Sequence, residues 1–207
     1  MASELLPTHP RTSRADARVS AILAAAIEEF SQRGYAGTSM ANIAAAADVS
    51  RPALYQYFRD KDHIFASAFV ALFAEHVDRA LDALVSSERT ADGLDGLLQR
   101  FDGDLWERMA ASPHIDELIG RKEATLAAAV GEEVDRLWVG LAAHLRRRVP
   151  GRSRAVVDQR DAWIELLRMA PQGFRVDEPS VDVYRGRLNA LARSVAADID
   201  AAGPDGS

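Results

Sequence analysis

The chain has 207 residues, of which 48% are hydrophobic and 27% are charged, and its formal net charge is −6. These values are typical of a globular protein and argue against a disordered or fibrous chain. The absence of cysteine excludes a disulfide framework and thiolate chemistry, and no apolar run approaches the roughly 18 residues of a membrane span. We therefore expect a cytoplasmic protein without a membrane partner.

The charge is unevenly distributed along the chain. Residues 1–61 hold seven Lys/Arg and six Asp/Glu, so the excess of acidic residues falls on the rest of the chain. This less acidic part is compatible with a DNA-facing end on an acidic body. Two small basic groups stand in it: Arg11, Arg14 and Arg18, and then Arg51, Arg59 and Lys61.

Apolar residues recur at helical spacing through nearly the whole chain, which predicts an all-α fold. Residues 1–15 are polar and contain two prolines, so we expect a flexible arm. A first helix is predicted to run to about Arg33 and to end at Gly34, because glycine suits a left-handed cap. Thr38 is predicted to cap a short second helix that extends through about Ala46.

The stretch "ADVSRPALYQYF" combines a turn with the start of a third helix. Ser50 is predicted to cap this helix, and Pro52 suits its first turn, where a missing N–H costs no hydrogen bond. Leu54 and Phe58 lie four residues apart and are expected to face the core. Two short helices joined by a tight turn make residues 38–59 a predicted helix-turn-helix.

Helical spacing continues beyond the helix-turn-helix. It predicts helices near residues 62–86, 92–111, 113–120, 122–148, 153–170 and 180–201. The shortest, in "SPHIDELIG", is bracketed by Pro113 and Gly120 and is predicted to be a separate, movable piece. The expected organisation is a flexible arm, a helix-turn-helix DNA-binding domain, a helical effector-binding and dimerisation domain, and a disordered tail, at residues 1–15, 16–61, 62–202 and 203–207.

The outward face of the third helix carries side chains that can read DNA. Arginine can form two hydrogen bonds to guanine, glutamine can pair with adenine, and small apolar side chains suit thymine methyl groups. Arg51, Pro52, Ala53 and Gln56 supply these types. Tyrosine hydroxyls and lysine suit phosphate oxygens, which fix the register of the protein on the duplex. The alternative is a surface helix with amphipathic aromatic residues.

Residues 18–70 resemble the amino-terminal domain of the TetR family of bacterial transcriptional regulators. The matching run is "ILAAAIEEFSQRGYAGTSMANIAAAADVSRPALYQYFRDKDHIFASAF". It holds the family's phenylalanine before "GY", its Thr-containing helix start, "LYQYF" and the following lysine. Asp48 and Pro52 depart from the pattern, since glycine is usual or frequent at both positions. Their geometry is nevertheless compatible with the turn.

The resemblance implies roles for individual residues. Base-reading roles fall on Met40, Arg51, Pro52, Ala53 and Gln56. Phosphate-contacting roles fall on Thr38, Ser39, Tyr55, Tyr57 and Lys61, with arm contacts from Arg11, Arg14 and Arg18 as an open possibility. The function predicted is a DNA-binding transcriptional regulator, a repressor that a small, mostly apolar ligand releases from double-stranded operator DNA.

Two further sites are predicted in the carboxyl-terminal part. If successive helices run antiparallel, one group of side chains clusters into a cavity for a small-molecule effector of unknown identity: Phe69, Trp106, Met109, His114, Leu126, Val130 and Trp163. One recognition helix covers only a few base pairs, so a homodimer is expected. Its predicted interface is a four-helix arrangement of helices 153–170 and 180–201, with five residues of the last helix in its apolar seam: Val181, Tyr184, Leu188, Leu191 and Val195.

No catalytic, cofactor-binding or metal-binding pattern stands out in the sequence. The histidines are scattered, and Asp116 and Glu117 are adjacent, so they point in different directions on a helix. We therefore predict that the chain is not an enzyme. The alternatives are a DNA-binding regulator without an effector, and a helical enzyme or scaffold with no DNA role.

Overall fold

The computed structural model describes residues 14–202, apart from the side chains at positions 14 and 122–125. The predicted tail and nearly all of the predicted arm, including Arg11 and the side chain of Arg14, lie outside the described residues. Every regular element in the described part is helical, which confirms the all-α prediction. None of the helices in residues 14–202 is long and apolar enough to cross a membrane.

The helices follow one another with short connections, and a π-helical turn at Gln99–Gly103 joins the fifth to the sixth. They are α1 Arg14–Gly37, α2 Met40–Ala46, α3 Arg51–Tyr57, α4 Lys61–Ser86, α5 Thr90–Leu98, α6 Asp104–Ala110, α7 Ile115–Arg148, α8 Arg154–Gly173 and α9 Val181–Ala202.

The first three helices and the start of α4 enclose an amino-terminal core. Its fully buried side chains include Ile22, Phe30, Ile43, Leu54, Ile64 and Phe65. Gly34 interrupts α1 with a φ of 69°, as the sequence predicted, although a helical turn resumes through Gly37. Positive φ is tolerated best by glycine, because glycine has no Cβ to meet the backbone.

The amino-terminal cap of α2 differs from the prediction. Ser39, and not Thr38, is the cap residue: its hydroxyl accepts a hydrogen bond from the backbone N–H of Asn42. The side chain of Asn42 in turn accepts from the backbone N–H of Ser39, at 3.1 Å. This reciprocal arrangement satisfies two N–H groups that a helix start leaves without a partner.

A second, larger core holds α4 to α9 together. In it α4 packs on α5 and α7, and α5 packs on α9. Its fully buried members include Leu84, Leu94, Leu97, Leu137, Leu141, Tyr184 and Leu188. Because α4 lines the amino-terminal core through Phe65 and α7 lines it through Leu118 and Leu126, these two helices connect the two cores.

Two predicted helices have different bounds in the structure. The predicted helix 92–111 is three pieces, because a π-helical turn separates α5 from α6. The predicted short helix 113–120 is not separate: α7 runs without a break from Ile115 to Arg148, through Gly120. Leu118 and Leu126 are buried on this helix, and their burial outweighs the roughly 1 kcal/mol that a helical glycine costs.

Three of the five residues predicted for the dimer seam on α9 face the core of the same chain instead. Tyr184 and Leu188 are fully buried within the chain and Val195 is 3% exposed, because this face of α9 packs on α5. Leu191 is partly buried against the same core, and Val181 is also half-buried. The apolar period of α9 was read correctly, but the element that covers it belongs to the same chain.

Candidate nucleic-acid interface and ligand cavity

The turn between α2 and α3 positions the predicted recognition helix. Asp48 adopts a φ of 51°, which accounts for glycine being usual there. The backbone N–H of Val49 donates to the carbonyl of Ala44 at 3.0 Å and closes the turn. The hydroxyl of Ser50 then accepts from the backbone N–H of Ala53 at 3.2 Å, as the predicted cap of α3 requires.

The helix α3 presents one face to the core and the other to solvent. Leu54 is fully buried and Phe58, its carboxyl-terminal cap residue, is 4% exposed. On the opposite side Arg51 and Gln56 are exposed and Tyr55 is 43% exposed. Pro52 is also exposed, while Ala53 and Tyr57 are half-buried beside them. The structure thus places together the residues of α3 predicted to contact DNA.

Two residues predicted to contact DNA lie in the core instead. Thr38 is 2% exposed, and its hydroxyl donates toward the carbonyls of Gly34, at 2.7 Å, and Glu29, at 3.1 Å. Met40 is 8% exposed and packs in the amino-terminal core. Neither side chain can reach a nucleic acid from these positions, so both roles are withdrawn. Ser39 remains exposed at the start of α2.

Lys61 has a structural role that the sequence did not indicate. Its ammonium group donates to the backbone carbonyls of Tyr35, at 2.7 Å, and Thr38, at 2.9 Å. The same group lies 4.1 Å from the ring centroid of Tyr35, a cation–π distance. Two of its three N–H donors are therefore used to join the start of α4 to the end of α1.

A charged cluster beside Lys61 joins the two domains. The hydroxyl of Tyr35 donates to Asp62 at 2.6 Å, and Arg121 of α7 pairs with the same carboxylate. The guanidinium of Arg121 also lies 3.4 Å from the ring centroid of Tyr35. The hydrogen bond from Tyr35 and, to a smaller extent, the one from Arg121 lower the pKa of Asp62. Burial and the bond to Asp62 raise the pKa of Tyr35 to about 12.

A cavity of about 620 Å³ lies at the junction of the two domains. This volume falls in the range of small-molecule sites, roughly 300–1,000 Å³. The wall is mostly apolar and is built from α1, α4, the π-helical turn, α6, α7 and α8. Ile27 and Ser31 of α1 belong to it, so the DNA-binding domain itself contributes to the wall.

Only part of the predicted ligand cluster reaches this cavity. Phe69, Met109 and Val130 line it. The other four predicted residues do not: Trp106 stacks near Tyr184, His114 lies beside Gly34, Leu126 is buried in the amino-terminal core, and Trp163 donates to Asp198 between α8 and α9. Helix rotation decided these outcomes, because neighbouring residues on one helix face different partners.

An ion pair in the cavity wall was missed at the sequence level. Asp102, on the π-helical turn, is 8% exposed and accepts from Arg175 at 2.7 Å. Burial raises the pKa of this carboxyl to about 6, although the positive charge of Arg175 acts in the opposite direction. The sequence did contain one indication that Asp102 is buried, since Leu98, Phe101 and Leu105 around it face the core. The loop residue Arg175 gave none.

A helix-turn-helix domain followed by a helical body with a cavity at their junction defines a class of DNA-binding regulators. Residues 22–68 match the model of the family of bacterial regulatory proteins called the tetR family. Residues 22–68 thus carry a tetR-family domain, which confirms the resemblance. The match is to regulatory proteins and supports the prediction of a regulator.

Two curated relatives share part of the chain. The HTH-type transcriptional activator FasR of Mycolicibacterium smegmatis is 37% identical over 75 residues, which are 36% of this chain and 32% of that protein. The HTH-type transcriptional repressor Rv3405c of Mycobacterium tuberculosis is 35% identical over 81 residues, 39% of this chain and 40% of that protein. The chain thus spans well under half the length of these relatives.

The fold as a whole is shared with a solved structure. The crystal structure of a TetR-family transcriptional regulator from Mesorhizobium loti has a TM-score of 0.64 to this chain at 18% sequence identity. The alignment covers 90% of this chain and 98% of that chain. The likeness is one of fold and extends over both domains.

Proposed function

We propose that the chain is a DNA-binding transcriptional regulator in which α3 enters the major groove of operator DNA. The observation that carries this proposal is the division of α3 into two faces. Leu54 is fully buried, whereas Arg51 and Gln56 are exposed on the other side. A major groove admits one helix, and long side chains with paired donors and acceptors read its base edges.

The proposed contacts follow from exposure and chemistry. Arg51 and Gln56 contact base edges, and Pro52 and Ala53 contact thymine methyl groups. The hydroxyls of Tyr55 and Tyr57, together with Ser39 at the start of α2, contact phosphates. Lys61 has one N–H donor left for a phosphate.

The direct experiment is a gel shift of the chain on DNA that flanks its own gene, with random duplex of equal length as competitor. We expect the flanking DNA to be preferred. Arg51→Ala or Gln56→Ala should reduce that preference by about 1–3 kcal/mol at one operator position per half-site. Arg89→Ala is the matched control, because this arginine at the start of α5 is 78% exposed and lies outside the helix-turn-helix and the α8–α9 face. Equal binding of the wild type to both DNAs would reject the proposal.

We propose a homodimer that joins through the outer face of α8 and α9. These helices pack on each other, and apolar side chains remain exposed on them: Val157, Leu166 and Met169 on α8 and Val183 on α9. Small residues, Ala162, Gly186 and Ala190, are exposed on the same two helices and permit close approach. Two copies related by a twofold axis would cover this face as a four-helix interface and present two recognition helices to a quasi-palindromic operator.

We propose that a ligand in the cavity changes DNA affinity by moving the end of α1. The cavity wall contains Ser31 and Ser112, and the hydroxyl of Ser112 donates to the carbonyl of Ser31 at 2.9 Å. Arg108, also in the wall, pairs with Glu28 of α1 at 2.7 Å. A ligand that displaces α6 or the start of α7 therefore pulls directly on the helix that leads into the helix-turn-helix.

A coupling free energy of about 1–3 kcal/mol would change operator affinity roughly 5- to 150-fold. We propose release from the operator, and hence repression in the absence of ligand. The matched relatives include one activator and one repressor by name, so reporter expression in a deletion strain is the measurement that decides the direction.

A further inference from the structure

Three polar side chains of the cavity wall lie together at the carboxyl end of α8. Arg168, Gln172 and Arg175 are spaced four and three residues apart, so they share one side of this helix and the turn that follows it. Most of the remaining wall is apolar, with Leu72, Phe73, Leu105, Val134 and Trp138 among its members. The cavity therefore suits a molecule with one polar group and an apolar body.

The guanidinium of Arg175 is held in one orientation by the protein. Its Nε donates to the hydroxyl of Tyr184 at 2.9 Å, and one Nη2 hydrogen bond goes to Asp102 at 2.7 Å. The group also lies 5.3 Å from the ring centroid of Tyr184 and 5.8 Å from that of Trp106. Tyr184 and Trp106 thus orient a cation in the wall without lining the cavity themselves.

Hydrogen-bond donors outnumber free acceptors at this place. Arg175 uses two of its five N–H donors, and Arg168 makes no hydrogen bond or ion pair within the part of the chain that the structure describes. The nearest acidic group, Asp102, already accepts from Arg175. Asp135 also lines the cavity and is exposed on α7, as Arg168 is on α8, and Arg108 is paired with Glu28.

A ligand that satisfies these donors must bring acceptors. A carboxylate offers two acceptor oxygens and no donor, and its planar geometry matches the fork of a guanidinium. An ammonium group offers donors only and would compete with Arg175 for Asp102. A hydroxyl group offers acceptors without the charge that makes such hydrogen bonds strong.

We infer that the cavity binds an amphiphilic carboxylate, with its head group on Arg175 and Arg168 and its hydrocarbon body against the apolar wall. This inference rests on the proposed ligand response and names the chemical class of the ligand. It also gives Arg175 a specificity-determining role: the pair with Asp102 holds the guanidinium in place for the incoming head group.

The test compares three probes of equal chain length on the full chain without DNA. Dodecanoate, dodecanol and dodecylammonium are titrated by calorimetry below their micellar concentrations. We expect dodecanoate to bind about 10- to 100-fold more tightly than dodecanol, because its hydrogen bonds are charge-assisted. Dodecylammonium should bind most weakly. Equal affinity for dodecanoate and dodecanol, tightest binding of the ammonium probe, or no binding of any probe would each overturn the inference.

Variants assign the head group to its residues. Arg175→Met alone leaves a buried carboxylate unpaired and could unfold the chain, so it is combined with Asp102→Asn. The double variant should bind dodecanol as before but lose the preference for dodecanoate, and Arg168→Met should reduce that preference. Arg89→Met is the matched control, since this arginine is 78% exposed, pairs with Asp92 and does not line the cavity. A double variant that keeps the full preference would contradict the assignment.

The experiments distinguish failure of the proposed regulator from failure of the proposed ligand class. Calorimetry without DNA reports on the carboxylate alone, and the gel shift of the ligand-free chain reports on operator binding alone. Tight dodecanoate binding together with absent DNA binding would reject the regulator and keep the ligand class. Operator binding without any preference for dodecanoate would do the reverse.

Discussion

The carboxylate of Glu117, in the first turn of α7, accepts a hydrogen bond from the backbone N–H of Ala36 in α1 at 3.0 Å. Gly34 lies two residues earlier, and a Cβ placed there would meet the side chains of Glu117 and His114. The start of α7 thus fits closely against the end of α1. Because α1 leads directly into the helix-turn-helix, this contact sets where the recognition helix stands relative to the cavity.

Glu117→Ala should loosen this junction. The lost hydrogen bond should lower the free energy of unfolding by about 0.5–1.5 kcal/mol, measured by urea denaturation. It should also reduce the ratio of DNA affinities measured without and with dodecanoate. Glu117→Gln keeps an acceptor oxygen and should behave like the wild type. If the glutamine variant lost as much as the alanine variant, the negative charge and not the hydrogen bond would be the important feature.

Lys61→Met should reduce both stability and DNA binding. The methionine keeps the apolar stem but cannot donate to Tyr35 and Thr38, so we expect a loss of about 1.5–3 kcal/mol in the free energy of unfolding. DNA affinity should fall equally on operator and random duplex, with the salt dependence flatter by about one unit of slope. An unchanged melting temperature would show that the two hydrogen bonds do not stabilise the domain.

Leu166→Asp combined with Met169→Asp should separate the proposed dimer. Both side chains are about half exposed in the chain, at 48% and 49%, so the fold of the single chain should survive. Light scattering should then report a monomer with nearly unchanged helicity. Val176→Asp is the control, because this residue is 84% exposed and lies in the turn after α8. A double variant that remains dimeric would place the interface on another face.

The buried Asp102 should make stability depend on pH. Its pKa is about 6 in the folded chain, against an ordinary value of 3.8, so the folded state binds more protons between these values. The contribution of this group therefore stabilises the fold as pH falls from 7 toward 4. Asp102→Asn removes the titration. The stability of the variant relative to the wild type should decline on acidification, by up to about 3 kcal/mol.

Urea denaturation of the wild type and of Asp102→Asn at pH 7.5 and 4.5 measures this difference in stability. Titrations that both proteins share cancel in the comparison. Burial raises the pKa of the neighbouring Tyr184 to about 12, so this group does not titrate in this range. A difference that stayed constant with pH would mean that the carboxyl of Asp102 titrates near its ordinary value.

The amino-acid sequence determined the helix-turn-helix because its signals are local. Ser50 as cap, Pro52 in the first turn, and Leu54 and Phe58 on one face all act within one or two helical turns. The structure has each of them as predicted. Exposure of Arg51 and Gln56 then follows, since a short helix with one buried face must leave the other in solvent.

Tertiary packing decided what those local signals could not. Thr38 and Met40 carry chemistry suited to DNA, yet the close packing of α1 on α2 buries both. The apolar residues of α9 recur at helical spacing, which indicates that one face of this helix is buried. The spacing does not indicate whether that face packs on α5 of the same chain or on a second copy.

The cavity shows the same division. Its wall is formed by residues from helices that are far apart in the chain. If one helix rotated by a single residue, side chains that line the cavity would instead face the core. Asp102 and Arg175 are 73 residues apart, and only the docking of α8 beside the π-helical turn brings them within 2.7 Å. Sequence periodicity predicted most helices and many of their buried faces, because hydrogen bonds and burial repeat within a helix. The partners of those faces depend on how the helices pack, which no single helix specifies.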